Sequence, residues 1–137
     1  MTNSIHQINP GSMAPPGGHY SHGVTVGSLV FVSGQLPITP SGERLNEASF
    51  EVQARQTLAN VQAILEAAGS SVAQLVQVRV YITSIGNWPA FNRLYGVWAG
   101  QSMPARAVVP VPELHYGFAI EVEVVGSLGG PTDIRAG

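Results

Sequence analysis

Lysine and cysteine are both missing from this 137-residue chain. Its six basic side chains are all arginine: Arg44, Arg55, Arg79, Arg93, Arg106 and Arg135. With no side-chain amine there is no Schiff base, so lysine-anchored pyridoxal phosphate chemistry is excluded, and a Walker A loop lacks its lysine. With no thiol there is no thiolate nucleophile, thiolate zinc site, iron–sulfur cluster or disulfide. Charge of either sign is scarce: Asp, Glu, Lys and Arg make up 10% of the residues, against roughly 25% in an ordinary soluble domain. A net charge of −2 and no dense basic patch disfavour nucleic-acid binding. No apolar run approaches the ~20 residues of a membrane helix. The first 18 residues hold neither lysine nor arginine and no apolar run, unlike a signal or transit peptide. A cytoplasmic protein is the expectation.

What is present suits one domain, since single domains commonly run about 100–200 residues. Residues 1–16, rich in Pro, Gly, Ser and Asn, read as an N-terminal arm, and residues 129–137 as a flexible tail. His22 to Val26 and Leu29 to Ser33 read as two strands joined by a Gly27-Ser28 hairpin turn. Residues 50–68 form the clearest helix, with Leu58, Val61, Leu65 and Ala68 on one face and Gly69 as its stop. Arg55, Gln56, Asn60, Gln62 and Glu66 fit its outer face. Residues 75–83 alternate, with Val76, Val78, Val80 and Ile82 pointing one way. A second helix spans Trp88 to Gly100, with Asn87 as N-cap and Pro89 in its first turn. Residues 105–111 form a strand that Pro110 and Pro112 confine to an edge, and Phe118 to Leu128 form the last strand. The resulting order, β-β-α-β-α-β-β, predicts an α+β sheet with both helices on one face. Its second face then needs a cover, and another subunit is the obvious one.

Three segments can carry chemistry. In Pro104-Ala105-Arg106 the arginine opens an apolar strand. Read alone it is an ordinary surface arginine; its other reading is a carboxylate clamp, because a guanidinium matches a carboxylate with two parallel donors. In Ile120-Glu121-Val122-Glu123-Val124, alternation sets both carboxylates on one face, roughly 6–7 Å apart. That face is a solvated strand surface or, if covered, a place where a carboxylate positions water. Gly17-Gly18-His19-Tyr20-Ser21-His22 reads as a plain turn or a ligand-touching loop. His6, His19, His22 and His115 follow no metal-ligand spacing, so no metal is expected. Ser33-Gly34 is not a nucleophile elbow, and Gly23, Gly27 and Gly34 spell no dinucleotide fingerprint.

Taken together, these segments resemble a family. The run from Tyr20 to Pro37, which contains Val-Phe-Val-Ser33-Gly34-Gln, resembles the N-terminal signature of the Rid/YjgF/YER057c/UK114 proteins. Gln53-Ala-Arg-Gln-Thr-Leu-Ala-Asn-Val, Glu66-Ala-Ala-Gly69, Phe91-Asn92-Arg-Leu-Tyr95, Pro104-Ala-Arg106 and Ile120-Glu121-Val-Glu123 match later landmarks in order, across about residues 17–126. The resemblance implies a chorismate-mutase-like α+β fold and a homotrimer with small-molecule sites in the clefts between subunits. It implies a cofactor-free deaminase of the RidA type, hydrolysing reactive 2-enamino or 2-imino acids to 2-keto acids and ammonia. Arg106 matches the arginine that holds the substrate carboxylate, and Glu121 the glutamate that helps place water. Tyr20 and Ser33 match cleft-lining residues, with Gly34 and Asn92 close by, and Val108 matches a position that offers its backbone amide.

The chain departs from the family pattern at His19, His22 and Leu114-His115-Tyr116-Gly117, beside the cleft motifs. The resemblance therefore does not fix substrate size and preference. One alternative is a pathway-specific deaminase for a larger, aminomuconate-type substrate, its extra group contacted by the histidines and Tyr116. Another is a non-catalytic trimeric ligand-binding or chaperone-like module. Relatives have also been described as ribonucleases, an activity that the missing lysine and negative net charge argue against.

Overall fold

The structure is a computed structural model and describes residues 4–130. Its strands are β1 (His6–Ile8), β2 (Gly23–Val26), β3 (Leu29–Gln35), β4 (Leu75–Ile82), β5 (Ala105–Pro110) and β6 (Ile120–Ser127). The helices are α1 (Phe50–Ala67) and α2 (Trp88–Ala99). The strands form one sheet in the order β1-β2-β3-β6-β4-β5, antiparallel except for the β4–β5 pair. A parallel pair needs a crossover, and α2 supplies it.

Helix α1 forms because its ends and its stripe agree. The Ser49 hydroxyl accepts from the Val52 amide at 3.3 Å and caps the first turn. Gly69, at φ 90°, stops the last turn. Between these ends Ala54, Leu58, Val61, Ile64 and Leu65 are buried against Val30, Val32, Val78, Val80, Ile82, Ile120, Val122 and Val124 of the sheet. Helix α2 adds Phe91, Tyr95 and Ala99 to the same core. Each fully buried aliphatic side chain here contributes about 1.5–3 kcal/mol. The opposite sheet face carries Phe31, Arg79, Tyr81, Glu121, Glu123 and Val125, and neither helix packs on it.

The two-helix, one-face arrangement agrees with the sequence reading, and five details differ. First, the N-terminal arm contributes a strand, because His6–Ile8 pairs antiparallel with β2 along its free edge. Second, β3 runs on to Gln35 through a register shift between Val32 and Gln35. Third, Val76 is 45% exposed and Leu75 takes the core position, because the β4–β6 register slips between Leu75 and Gln77. Fourth, Asn87 makes no side-chain cap; it belongs to a 3₁₀ turn, Ile85–Asn87, that leads straight into α2. Fifth, Asn60 is buried rather than outward, and its amide donates to the Leu36 and Ile38 carbonyls at 3.1 and 2.9 Å. Residues 131–137 of the expected tail lie outside the described residues.

Gly126 on β6 sets how closely α1 settles on the sheet. A Cβ there would lie 2.8 Å from Leu65 Cδ2, 3.0 Å from Ser70 Oγ and 3.2 Å from Val30 Cγ1. Gly126→Val is therefore expected to destabilise the fold by about 1–3 kcal/mol, the usual cost of overpacking, read as a lower urea midpoint.

Candidate active site

Glu121 stands at the middle of the sheet, on β6 between β3 and β4. Strand alternation turns it away from the helices, while its neighbours Ile120 and Val122 are fully buried. The register shift in β3 brings the Gly34 backbone against its carboxylate; a Cβ at Gly34 would collide with Glu121 Oε2. Burial raises the Glu121 carboxyl above the ordinary carboxylate range, the His115 cation partly offsets this, and Glu123 adds to it. Glu123, on the same face, is already engaged: the Tyr81 hydroxyl donates to its Oε1 at 2.6 Å. That bond, together with burial, raises the Tyr81 phenol. The two carboxylates that alternation pairs thus differ. Glu123 is tied to β4, whereas Glu121 has no hydrogen bond among the described residues and is poised for a ligand or water.

Tyr20 and Ser33 lie on the Gly34 side. The Ser33 hydroxyl donates to the Ser21 carbonyl at 2.6 Å, fixing the Tyr20 loop beside β3. Tyr20 is half exposed, and Gly34 lines the same small cavity. His22 is a latch for the arm. Its amide donates to Asn9 Oδ1 at 2.9 Å, and its ring Nε2 donates to the Ala14 carbonyl at 2.8 Å. Among the described residues, no three His, Asp or Glu side chains converge as a metal site.

Arg106 belongs to a second cluster. The register pairs it with Val78 and pairs Val108 with Val80, so both point to the helix side of β5. There Arg106 Nη1 donates to Asn92 Oδ1 of α2 at 3.0 Å, and its guanidinium lies 4.9 Å from the Tyr95 ring centroid. Asn92 and Tyr95 are one helical turn apart, so α2 presents a polar anchor and an aromatic face to the same guanidinium. Arg106 stays exposed on the wall of a concavity of about 430 Å³, whose lining includes Asn92, Gly100, Ser102 and Pro104. Val108 is on the outermost strand, whose outer backbone edge has no strand partner among the described residues.

The two clusters do not meet within one chain. Glu121 pairs with Tyr81, and Tyr81 pairs with Val109, three residues along β5 from Arg106. Two strand spacings and three residues put the two backbones roughly 14 Å apart, and the side chains leave opposite faces. The family resemblance assigns Tyr20, Ser33, Gly34, Glu121, Asn92, Arg106 and Val108 to one kind of cleft; within one chain the structure sets Gly34 against Glu121 and Asn92 against Arg106, apart from each other. Sequence spacing misses Tyr95, whose place in an apolar stripe signals only core.

These features define an α+β protein with polar clusters on the two sides of its sheet. A family model described as Endoribonuclease L-PSP matches residues 11–127. The chain is 41% identical over 119 residues to the RutC family protein y4sK of Sinorhizobium fredii, covering 87% of this chain and 91% of that protein. It is 34% identical over 122 residues to TdcF of Escherichia coli, named as a candidate reactive intermediate deaminase, again covering 87% and 91%. Among solved structures, a yeast protein, YEO7, superposes with a TM-score of 0.87 at 31% identity, covering 90% of this chain and 98% of that one. Escherichia coli TdcF with bound serine superposes with a TM-score of 0.82 at 33% identity, covering 89% and 98%. The chain belongs to the Endoribonuclease L-PSP family, the Rid/YjgF group.

Gly34→Ala is expected to fold, with its added methyl forcing the Glu121 carboxylate from its seat. Any activity that depends on Glu121 should fall at least tenfold while the circular dichroism spectrum is retained, and an unchanged rate would contradict the seating.

Proposed function

We infer that the protein is a cofactor-free deaminase that hydrolyses small 2-imino acids, and their enamine tautomers, to 2-keto acids and ammonia. The observation that carries this reading is the pair of half-sites: an aromatic-backed arginine anchored by Asn92, and a half-buried carboxylate with no hydrogen bond among the described residues. A 2-imino acid asks for these two things, a clamp for its carboxylate and a carboxylate for the attacking water. Its carboxylate carbon is bonded directly to the reacting carbon, so clamp and base must sit within a few ångströms of one another. Arg106 and Glu121 of one chain are too far apart for that. The reading therefore includes an assembly, a homotrimer, in which the Arg106 edge of one subunit faces the Glu121 side of the next.

In such a cleft Arg106 binds the substrate carboxylate with two parallel hydrogen bonds. Asn92 fixes the guanidinium, and the Val108 backbone offers a further donor along the open edge. Tyr20, Ser33 and Gly34 bound the opposite wall. Glu121 takes a proton from water as the oxygen adds to the C=N carbon, and the carbinolamine then expels ammonia. Such imines already hydrolyse in water, so positioning needs to remove only part of the barrier, at about 1.4 kcal/mol per tenfold gain. The name of one relative as a candidate reactive intermediate deaminase supports this reading. RNA cleavage, the activity in the family description, finds little support in a chain with no lysine and a net charge of −2.

The imine can be generated in place by an amino-acid oxidase or a threonine dehydratase, and release of keto acid followed. Wild-type protein should accelerate it, and Arg106→Ala should lose about 1.5–3 kcal/mol of transition-state binding, or 10- to 100-fold, the scale of a charged hydrogen bond. If neither protein changes the spontaneous rate, the reading fails. Mixing tests the shared cleft. Arg106→Ala and Glu121→Gln should each lose most of the activity alone. Unfolded and refolded together, they should regain about a quarter of the intact sites, because a cyclic interface pairs the good half of one with the good half of the other. Sites contained within one chain would regain nothing.

A further inference from the structure

We propose that His115 is the second proton-transfer group of this site, donating to the departing nitrogen while Glu121 serves the attacking water. The proposal rests on the imine-hydrolase reading and adds a residue from the stretch where this chain departs from its family. His115 and Glu121 line one cavity of about 450 Å³, together with Glu113, Leu114 and Tyr116. That volume lies within the range of small-molecule sites, about 300–1,000 Å³.

The turn that presents His115 is strained and firmly held. His115–Gly117 forms a 3₁₀ turn in which Tyr116 adopts φ 58° and ψ 16°, a left-handed conformation that bulky residues seldom take. Two rings and one cation hold it there. The Arg44 guanidinium lies 3.7 Å from the Tyr116 ring centroid. Phe118, buried, meets Tyr116 edge-on at 5.7 Å, and the His115 ring lies 6.0 Å away. Strain of this kind persists where the surroundings over-determine it and clusters at functional sites. Its effect here is to keep an imidazole on the cavity wall that Glu121 shares.

The surrounding charges suit a proton-exchanging pair. Glu121 is faced by Glu123 on its own strand, by Tyr81 on β4 and by His115. His115 is faced by Glu121 and by Glu113 of its own loop, with Arg44 beyond the Tyr116 ring. A cationic His115 holds Glu121 lower than burial alone would. Histidine is the side chain whose unperturbed charge changes between about pH 5 and 8.

The steps balance. Water adds to the iminium carbon as Glu121 takes one of its protons, giving a neutral carbinolamine. The His115 imidazolium protonates the carbinolamine nitrogen. The hydroxyl oxygen then forms the C=O bond, the C–N bonding pair leaves with ammonia, and the hydroxyl proton returns to His115. Ammonia takes the proton held by Glu121 and departs as ammonium, restoring both groups. Overall, iminium and water yield keto acid and ammonium, with no other reactant.

The test is the imine assay across pH with wild type, Arg106→Ala, His115→Gln and His115→Ala, each matching wild type in circular dichroism. His115→Gln should lower kcat on the order of 100-fold, the scale of a general acid, with little change in KM. It should lose the alkaline fall in rate that deprotonation of His115 imposes. Its acid limb, where rate drops as Glu121 gains a proton, should move to higher pH, because the cation that held Glu121 down is gone. Added imidazole should restore part of the rate to His115→Ala. If His115→Gln keeps the wild-type rate and alkaline limb while Arg106→Ala shows its expected loss, the role of His115 is refuted and the hydrolase reading stands. If wild type itself gives no acceleration, both fall.

Discussion

The alternation along β6 is the constraint on which the rest depends. This strand lies at the middle of the sheet, flanked by β3 and β4, and every second side chain enters the core beneath α1. Ile120, Val122 and Val124 are the apolar floor on which the helix layer closes. The same backbone sends Glu121 and Glu123 the other way. A one-residue slip would drive both carboxylates under the helices, where charges are costly to bury, and lift the branched side chains out. Core and candidate chemistry are therefore set by one register, and neither can move without the other.

Polar side chains then decide where the loops lie. Asn60 leaves the helix surface to bind the carbonyls of residues 36 and 38. Gln53 spans from the Ala48 carbonyl to the Ala119 amide at the start of β6. Tyr81 ties Glu123 and leaves Glu121 free of hydrogen bonds among the described residues. Within a low-dielectric layer such bonds are specific, since an unpaired buried polar group costs about 1–3 kcal/mol. The bulge in β3 adds the last element, a glycine backbone pressed on the Glu121 carboxylate. The proposed site is thus built from positions that are either charged or stripped of a side chain, set on a rigid apolar layer.

Charge scarcity gives these positions their weight. Among the described residues the one ion pair joins Arg55 and Glu51, exposed on α1, and contributes little. Arg106 is used otherwise: it has an amide anchor and an aromatic face and stays exposed. Arg44 is likewise placed on an aromatic ring rather than on a carboxylate. Two of the chain's few cations therefore stand on aromatic platforms beside the two half-sites, oriented without being neutralised.

Much of this is legible from the residues alone. Period-two alternation marks β4 and β6, the three- and four-residue steps mark α1, and Pro110 and Pro112 mark an edge strand, since each of these signals is local. The family motifs name Arg106, Glu121, Tyr20, Ser33, Gly34, Asn92 and Val108. The register slip that exchanges Val76 for Leu75 is not legible, because it depends on how β4 meets β6. The inward turn of Asn60 is not, because its partners are more than twenty residues away. The left-handed Tyr116 is not, because Arg44 and Phe118 hold it from outside its turn. The sequence by itself determined the layers, the buried face and which residues are candidates for chemistry, because periodicity and residue chemistry are properties of the chain. Only the tertiary structure decided that Arg106 and Glu121 leave opposite faces of the sheet, because strand order and pairing register are relations between segments far apart along the chain.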